Sequence, residues 1–234
     1  MGLYDDEARY YDALYYWKDY EGEARRIEEI VDGRVPQAKT LLDVGCGTGM
    51  HMLMLRDRFA VTGLDLNDAM LEVARERLPG VTLHRGDMLD FDLGSRFDII
   101  TCLFSGIGYA PDVASLDRAV ARMAAHLDPG GLLIVEPWLE PDDFAEGHLG
   151  ALLADQPDFK LARLNTSHRD GRASRLDFVY ALVSPDETKT WESSESLTLF
   201  ERNEMLAAFE RAGFEVEHDP TGLMGRGLYV AIRR

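Results

Sequence analysis

The chain has 234 residues, of which 46% are hydrophobic and 29% are charged, a composition typical of globular proteins. This length suits one domain carrying an insertion, and no apolar run reaches the roughly 18 residues that a membrane helix needs. The net charge of −17 repels nucleic acid and anionic lipid, so we expect neither as a partner. A polar N-terminus and two widely separated cysteines predict a cytoplasmic protein without a disulfide framework.

Two helices are predicted at the start of the chain, over residues 5–16 and 19–34. The second helix has apolar side chains on one face, with charged residues opposite. These apolar side chains are Ala24, Ile27, Ile30 and Val31. Pro36 lies just beyond the end of this helix, where the pattern stops.

From residue 40, short apolar runs alternate with helical patterns. Strands are predicted at residues 40–44, 60–65, 81–84, 97–103 and 132–136. Helices are predicted between them at residues 49–58, 68–78 and 113–127. Because the strands are mostly unbroken apolar runs, this alternation predicts an α/β fold whose parallel sheet is covered on both faces, a doubly wound arrangement.

The alternation breaks after Pro137. Three antiparallel strands are predicted at residues 159–167, 175–183 and 190–200, with turns at Asp170-Gly171 and at 184–186. A helix over 203–212 and two strands at 214–218 and 228–232 follow. We therefore expect three regions. They are residues 1–137 (N-terminal helices and α/β core), 138–200 (a small antiparallel β insertion) and 201–234 (a return to the core sheet).

A glycine-rich loop follows the first strand and opens a helix. Gly45, Gly47 and Gly49 are spaced so that the backbone can turn tightly and let a ligand approach closely. Asp65 ends the next strand, where its carboxylate can accept hydrogen bonds from ribose hydroxyls. This pair predicts a cofactor that contains a nucleoside.

The spacing of the loop distinguishes between cofactors. A dinucleotide fingerprint reads G-x-G-x-x-G, whereas this loop is one residue shorter and follows an acidic residue, Asp43. A carboxylate at that position suits a cationic amino-acid tail and would repel a pyrophosphate. After the third strand, Asp87 can accept from an adenine amino group while Met88 packs on the ring.

These motifs together resemble class I S-adenosylmethionine (AdoMet)-dependent methyltransferases. The matching segments read D-V-G-C-G-T-G (43–49), L-D-L-N (64–67), G-D-M (86–88), F-D-I-I-T (97–101) and L-D-P-G-G-L-L-I-V-E-P (127–137). The resemblance covers residues 40–137 and implies a Rossmann-like sheet and AdoMet as cofactor. The alternatives are a Rossmann-like dehydrogenase and an AdoMet-binding protein without catalytic activity.

Segments outside the core are similar to the dTDP-amino-sugar N,N-dimethyltransferases of macrolide antibiotic biosynthesis. They are residues 11–15, 18–20, 136–138, 198–200 and 225–228. This resemblance implies N-methylation, once or twice, of the amino group of a nucleotide-linked deoxyamino sugar. The alternative acceptor is another small metabolite, methylated on nitrogen, carbon or oxygen.

The predicted cofactor contacts combine the motif residues with two positions implied by the resemblance, Tyr15 in a helical lid and Leu103 over the adenine. They are Tyr15, Asp43, Gly45, Gly47, Asp65, Leu66, Asp87, Met88 and Leu103. No metal site is expected. Methyl transfer from a sulfonium needs alignment and exclusion of water rather than a protein nucleophile.

Three side chains are candidates for catalysis: Tyr15, Glu136 and His168. The Tyr15 hydroxyl could position the acceptor nitrogen or contact the methionine portion of AdoMet, or the ring could simply pack. Glu136 ends the fifth strand, where it could hold a cationic amine, take its proton or pair with an arginine. His168 lies in a segment, residues 160–175, that carries five basic residues and one acid.

Four side chains are candidates for binding the acceptor: Tyr109, Trp138, Arg175 and Arg226. Tyr109 and Trp138 could form the wall of the pocket or pack at the joint with the insertion. Arg175 belongs to the basic segment, which suits a diphosphate or is a solvated hairpin. Arg226 lies between two glycines and matches a family position expected to bind substrate phosphate. A homodimer formed through an apolar face of the insertion is a further expectation.

Overall fold

The computed structural model describes residues 8–234, so residues 5–7 of the predicted first helix lie outside the described part. Short 3-10 turns occur at Ala8–Tyr10 and Gly106–Tyr109. The helices are α1 (Tyr11–Leu14), α2 (Tyr20–Arg34), α3 (Met50–Leu55), α4 (Asp68–Arg77), α5 (Val113–Ala125) and α6 (Arg202–Arg211). The strands are β1 (Thr40–Val44), β2 (Ala60–Asp65), β3 (Thr82–Arg85), β4 (Phe97–Cys102), β5 (Leu127–Val135), β6 (Leu149–Asp155), β7 (Lys160–Asp170), β8 (Ala173–Val183), β9 (Thr188–Thr198), β10 (Phe214–Asp219) and β11 (Leu228–Arg233).

Seven strands form the core sheet, in the order β10-β11-β5-β4-β1-β2-β3. The five strands β1 to β5 are parallel, and β11 is antiparallel to both β5 and β10. The mostly parallel, Rossmann-like sheet expected from the sequence is thereby confirmed. The chain order reverses between β1 and β4, and such a reversal opens a crevice at the carboxyl ends of these two strands.

Helices cover both faces of the core sheet. On one face, Ala24, Ile27, Ile30 and Val31 of α2 are buried with side chains of α3, which confirms the predicted apolar face of α2. On the other face, α5 and α6 pack against the apolar side chains of β4 and β5. Burying both faces explains why the central strands are continuous apolar runs. Across residues 8–234, every helix is too short or too polar to span a membrane.

The boundaries of several predicted elements differ from those observed. Within residues 8–16, the first predicted helix is a 3-10 turn followed by the four-residue α1, and the helix predicted over 49–58 is the shorter α3. Strand β5 begins at Leu127 rather than at residue 132, and α5 ends at Ala125 rather than at residue 127. The strand absorbs Pro129, Gly130 and Gly131 through a register shift against β4 between Phe97 and Ile99. The glycine turn that marks a loop in the sequence is therefore an irregularity within the strand.

The insertion forms a separate antiparallel sheet, here called the insertion sheet, in the order β6-β7-β8-β9. Three of its strands are predicted from the sequence, whereas β6 is not. Only Ala154 in β6 is buried, and the sequence L-G-A-L-L-A-D lacks the alternation of a half-buried strand. The pairing with β7 therefore defines this strand more than its own pattern does.

The segment over residues 8–19, here called the lid, packs between the two sheets. Tyr10, Tyr11 and Leu14 form one buried cluster with Met70 of α4 and with the inner face of the insertion sheet. The inner-face side chains of this cluster are Ala154, Leu161, Phe178, Tyr180 and Leu182. The lid, the insertion sheet and the carboxyl edge of the core sheet thus enclose one large cavity.

Candidate active site

The loop after β1 turns at two glycines that line the cavity. Gly45 and Gly47 have φ angles of 74° and 53°, in the left-handed region that glycine adopts without strain. The N–H groups of Gly45 and Cys46 both donate to the carbonyl oxygen of Leu64, at 2.7 and 3.0 Å, and this binds the loop to β2. A Cβ on either glycine would have no heavy atom within 4 Å, so the backbone is open to a ligand.

Asp65 lies beside this loop with its carboxylate in the cavity wall. One oxygen accepts from the Gly47 N–H at 2.7 Å and the other from the Asn67 N–H at 2.8 Å. Burial raises the pKa of Asp65, and these backbone hydrogen bonds oppose that rise. A carboxylate has about four acceptor positions, so each oxygen can also accept from a ligand hydroxyl. The predicted ribose contact is geometrically available.

Asp43 lies beneath the loop rather than in the cavity wall. Its side chain is 2% exposed, and one oxygen accepts from the Thr101 hydroxyl at 2.8 Å. Burial raises the pKa of Asp43 to about 6, although His51 and Thr101 act in the opposite direction. The structure therefore places Asp43 as a buried support of the loop, and its predicted direct contact with the cofactor is not what the geometry favours.

Four further predicted cofactor contacts line the same end of the cavity: Leu66, Asp87, Met88 and Leu103. They follow the carboxyl ends of β2, β3 and β4, which meet at one edge because these strands are parallel. One oxygen of Asp87 accepts from the Leu89 N–H at 2.9 Å, which orients the carboxylate. An apolar slot with one acceptor at its rim is suited to an adenine ring.

Asp12 and Tyr15 hold the lid to opposite sides of the cavity. Asp12 accepts from the Thr48 hydroxyl at 2.7 Å and pairs with Arg77, which also donates to the Thr48 carbonyl. The Tyr15 hydroxyl accepts from Nη1 of Arg163, on the insertion sheet, at 2.9 Å. The lid is therefore fixed to the glycine loop at one point and to the insertion sheet at another.

The backbone after β4 is strained where it enters the cavity. Phe104 and Ser105 have φ angles of 49° and 66°, a conformation that bulky residues rarely adopt. The Phe104 N–H donates to Glu136 at 2.7 Å, and the Ser105 hydroxyl donates to the Pro137 carbonyl at 3.0 Å. Consecutive strained residues are found where the surrounding structure holds them, commonly at functional sites.

This turn places Phe104 in the cavity wall. The Tyr15 ring meets it edge-on at 5.1 Å between centroids, and the Lys18 ammonium lies 4.4 Å from its centroid. The guanidinium of Arg226 lies 5.7 Å from the same ring. Sequence reasoning missed Phe104, because nothing in the pattern of β4 signals a left-handed residue after it.

Glu136 is fully buried behind the Phe104 turn and does not line the cavity. One carboxylate oxygen holds the Phe104 N–H, and the other has no hydrogen-bond partner within residues 8–234. Burial raises the pKa of Glu136, while Lys18 and Arg226 favour its charged form. The prediction that Glu136 contacts an amine directly is therefore wrong: Glu136 supports the Phe104 turn from behind.

Arg226 enters the cavity from the loop between β10 and β11. Its Nη1 donates to the Ser105 hydroxyl at 2.9 Å, and its guanidinium lies 4.8 Å from the Trp138 ring. Trp138 itself donates to the Ser174 hydroxyl at 2.8 Å, and Tyr109 lines the same rim. These three predicted acceptor residues are brought together in one part of the cavity.

His168 and Arg175 lie on the other face of the insertion sheet. They are directly paired across β7 and β8. The residues of these strands that line the cavity, such as Arg163 and Phe178, are at the alternate positions, whose side chains point to the opposite face. Both approach Asp177, at 3.4 Å for His168 and 3.0 Å for Arg175. Their predicted roles in catalysis and substrate binding are therefore corrected, because a one-residue change in register moves a side chain to the opposite face.

Arg163 takes the position that the sequence assigned to Arg175. It lines the cavity and is 9% exposed, with its guanidinium 4.9 Å from the Phe178 ring and 5.3 Å from the Tyr15 ring. The alternation does not reveal its orientation, because both faces of the hairpin carry apolar side chains. The basic composition of residues 160–175 indicates an anion-binding segment. Composition does not identify which of its arginines faces the cavity.

A buried charged network supports the lid from below. Glu23 of α2 pairs with Lys18, and its other oxygen accepts from Nε2 of His51 at 2.8 Å. All three are at most 7% exposed. Burial lowers the pKa of Lys18, whereas both of its partners lower the pKa of Glu23. The network joins the lid to α3, directly after the glycine loop.

The comparisons with known proteins agree with this geometry. Residues 41–131 match the family described as a methyltransferase domain. The chain is 42% identical to dTDP-4-amino-2,3,4,6-tetradeoxy-D-glucose N,N-dimethyltransferase of Saccharopolyspora spinosa, over 97% of this chain and 93% of that protein. It is 41% identical to dTDP-3-amino-3,4,6-trideoxy-alpha-D-glucopyranose N,N-dimethyltransferase of Streptomyces venezuelae, over 97% and 98%.

Two solved structures have the same fold. The crystal structure of Streptomyces venezuelae DesVI superposes with a TM-score of 0.93 at 40% identity, covering 98% of this chain and 99% of that one. The SAM-bound structure of CalS10 superposes with a TM-score of 0.88 at 42% identity. CalS10 is an amino pentose methyltransferase from Micromonospora echinaspora involved in calicheamicin biosynthesis, and 96% of each chain is covered.

The fold and the site define an AdoMet-dependent methyltransferase. The chain belongs, within that class, to the family of dTDP-amino-sugar N,N-dimethyltransferases. The cavity residues fit the cofactor, since open glycine backbone and a fixed carboxylate meet an apolar slot. The two alternatives, a dehydrogenase and a non-catalytic AdoMet-binding protein, are set aside.

Replacing Asp65 tests the cofactor site. Asp65→Ala is expected to weaken AdoMet binding about 10- to 150-fold, because a hydrogen bond to a charged group contributes ~1.5–3 kcal/mol. Isothermal titration calorimetry measures the affinity, and Asp57→Ala, an exposed carboxylate after α3, is the control. Unchanged affinity in Asp65→Ala would show that this carboxylate does not hold the ribose.

Proposed function

We propose that this enzyme methylates the amino group of a dTDP-linked deoxyamino sugar and transfers two methyl groups in succession. The observation that carries this proposal is that the similarity to two dTDP-amino-sugar N,N-dimethyltransferases covers 97% of the chain. It therefore includes the lid, the insertion sheet and the Arg226 loop, which determine the acceptor, as well as the core that holds AdoMet. The alternative is methylation of another small metabolite.

The size of the cavity supports two ligands side by side. Its volume is about 1430 Å³, whereas a pocket for one drug-sized molecule typically measures roughly 300–1,000 Å³. We assign the core of residues 1–137 to AdoMet, residues 138–200 to the acceptor and residues 201–234 to the phosphate contact. Residues 1–7 of the first region lie outside the described part of the chain.

In this proposal the diphosphate of the acceptor binds Arg226. Its guanidinium is fixed between Ser105 and the Trp138 ring, so little side-chain freedom is lost when it binds an anion. A guanidinium offers paired N–H donors that match phosphate oxygens. Tyr109 and Trp138 then form the aromatic rim beside the sugar.

Tyr15 is the side chain that we assign to the acceptor nitrogen. AdoMet, when bound, supplies a methyl group activated by attachment to a sulfonium. The Tyr15 oxygen accepts one hydrogen bond from Arg163 and retains a second lone pair, which can accept an N–H of a neutral amine. This contact leaves the nitrogen lone pair directed toward the methyl group. The N–C bond forms as the bond from the methyl group to sulfur breaks, S-adenosylhomocysteine is the leaving group, and the new ammonium gives its proton to solvent before the second transfer. Alignment and exclusion of water then account for catalysis.

We also propose a homodimer formed through the outer face of the insertion sheet. Five large apolar side chains on this face are 46–78% exposed: Leu149, Leu153, Leu164, Val179 and Val183. Strand pairing places them together, with Leu164 directly opposite Val179 and Leu153 opposite Ala162. A two-fold axis would pack this face against its own copy, as sheets pack in a sandwich.

Two features bear on where in the cell, and in which process, the enzyme acts. We propose a role in the biosynthesis of a glycosylated antibiotic, supported by the similarity to CalS10. A cytoplasmic location is supported by Cys46 and Cys102, which are both buried and free.

An acceptor panel tests the proposed reaction. Mass spectrometry should detect increments of one and two methyl groups on a dTDP-3-amino or dTDP-4-amino deoxyhexose incubated with enzyme and AdoMet. The matching free amino sugars should react far less, because they lack the diphosphate, and dTDP-glucose should not react because it lacks the amine. Product only on an aromatic phenol or indole would contradict the sugar assignment while leaving the methyltransferase activity intact.

Replacing Arg226 tests the phosphate contact. Arg226→Met is expected to raise KM for the nucleotide-linked acceptor about 10- to 150-fold, because it removes a charge-assisted hydrogen bond. AdoMet affinity should change less than about threefold, since Arg226 is not among the side chains assigned to the cofactor. The residual reaction of the free sugar is the internal control. An equal loss on both acceptors would argue against a diphosphate contact.

Sedimentation velocity tests the dimer. The wild-type protein is expected to sediment at twice its chain mass of 26.3 kDa. Leu164→Glu should give a monomer, because a charge placed in a dry apolar interface costs several kcal/mol when it lacks a partner. A monomeric wild type would contradict the proposal, and His84→Glu, on β3 of the core sheet, is the control.

A further inference from the structure

Arg163 connects the wall of the acceptor site to the lid. Five basic side chains lie between residues 160 and 175, and Arg163 is the one among them that lines the cavity. It projects from β7, which is hydrogen-bonded on both sides, to β6 and to β8. Its backbone is therefore held more firmly than a residue on an edge strand or loop would be.

The contacts of Arg163 fix its guanidinium in a single place. Two aromatic rings are within cation–π distance, that of Phe178 on the neighbouring strand at 4.9 Å and that of Tyr15 at 5.3 Å. Nη1 donates to the Tyr15 hydroxyl at 2.9 Å. The guanidinium thus reaches from a rigid sheet to one atom of the lid.

Tyr15 lies just beyond the short helix of the lid. α1 is only four residues long and ends at Leu14, so Tyr15 follows the last helical residue. Other contacts of the lid lie elsewhere: Asp12 binds the glycine-loop side through Thr48 and Arg77, and Lys18 pairs with Glu23 of α2. Without Arg163, the Tyr15 ring would keep its contacts with Tyr11 and Phe104, but the Tyr15 hydroxyl would lose its hydrogen bond from Arg163.

We propose that Arg163 is a positioning residue for methyl transfer: it holds the Tyr15 hydroxyl at the acceptor nitrogen and holds the lid closed from the acceptor side. It acts through Tyr15 and contributes little to AdoMet affinity, because Asp12 separately secures the glycine-loop side of the lid. The kinetic part of this inference rests on the proposed acceptor, whereas its structural part requires only AdoMet or its product.

A double-mutant cycle tests the kinetic part. Arg163→Met and Tyr15→Phe are each expected to lower kcat about 10- to 100-fold, with AdoMet affinity changed less than about threefold. The double variant should lose no more than about a further twofold, because both changes remove the same hydrogen bond. Arg163→Lys should restore most of the lost rate, since it keeps a cation and a donor. Lys160→Met, which removes a charge on the other face of β7, is the matched control.

Hydrogen exchange tests the structural part without any acceptor. With S-adenosylhomocysteine bound, Arg163→Met and Tyr15→Phe should both increase amide exchange over residues 11–20, whereas Lys160→Met should not. Unchanged exchange in Arg163→Met, or losses of kcat that multiply in the double variant, would overturn the inference. If the wild type methylates no amino sugar, the proposed acceptor fails and the exchange measurement still decides the role of Arg163.

Discussion

The crevice between the carboxyl ends of β1 and β4 is the constraint on which the site depends. The strand order reverses there, so the connections that follow β1 and β4 diverge and leave space between them. The glycine loop and Asp65 occupy one side, and the Phe104 turn occupies the other. The chain then adds a lid and an insertion sheet, which close over the crevice without altering the core.

The Phe104 turn forms part of the cavity wall and is itself held by its surroundings. Two consecutive left-handed residues cost on the order of 1–3 kcal/mol each. Hydrogen bonds that the turn donates to Glu136 and Pro137, and one that Ser105 accepts from Arg226, offset that cost. The Glu136 carboxylate is fully buried and does not line the cavity, so it supports the backbone of the turn rather than binding substrate. This arrangement explains how a charged residue at the end of β5 can be essential to the shape of the site while lying outside the cavity.

The sequence was most informative where local chemistry and fold depend on the same residues. The apolar runs of β1 to β5 predict a covered parallel sheet because both faces of that sheet are buried. Gly45, Gly47 and Asp65 predict the cofactor site because few other residue types can turn the loop or accept from a ribose. The sequence predicts a start for β5 that is five residues too late, because Pro129 and the following glycines are typical of a loop. Pairing with β4 keeps them within the strand.

The insertion sheet shows why the remainder could not be predicted. Phe178, Tyr180 and Leu182 face the lid, yet Val179 and Val183 on the opposite face are also apolar, so periodicity does not distinguish inside from outside. Arg163 and Arg175 were therefore indistinguishable from composition, and their faces are known only from the pairing of β7 with β8. The lid contacts of Tyr15 likewise join residues 148 positions apart in the chain.

The most direct test of the account is a crystal structure of the enzyme with S-adenosylhomocysteine and a dTDP-amino deoxyhexose bound together. The account predicts ribose hydroxyls of the cofactor on Asp65, the acceptor diphosphate on Arg226, and the amino nitrogen beside the Tyr15 hydroxyl and facing the sulfur atom. A nucleotide sugar bound outside this cavity, or one whose diphosphate lies away from Arg226 and whose nitrogen faces away from the sulfur, would contradict it.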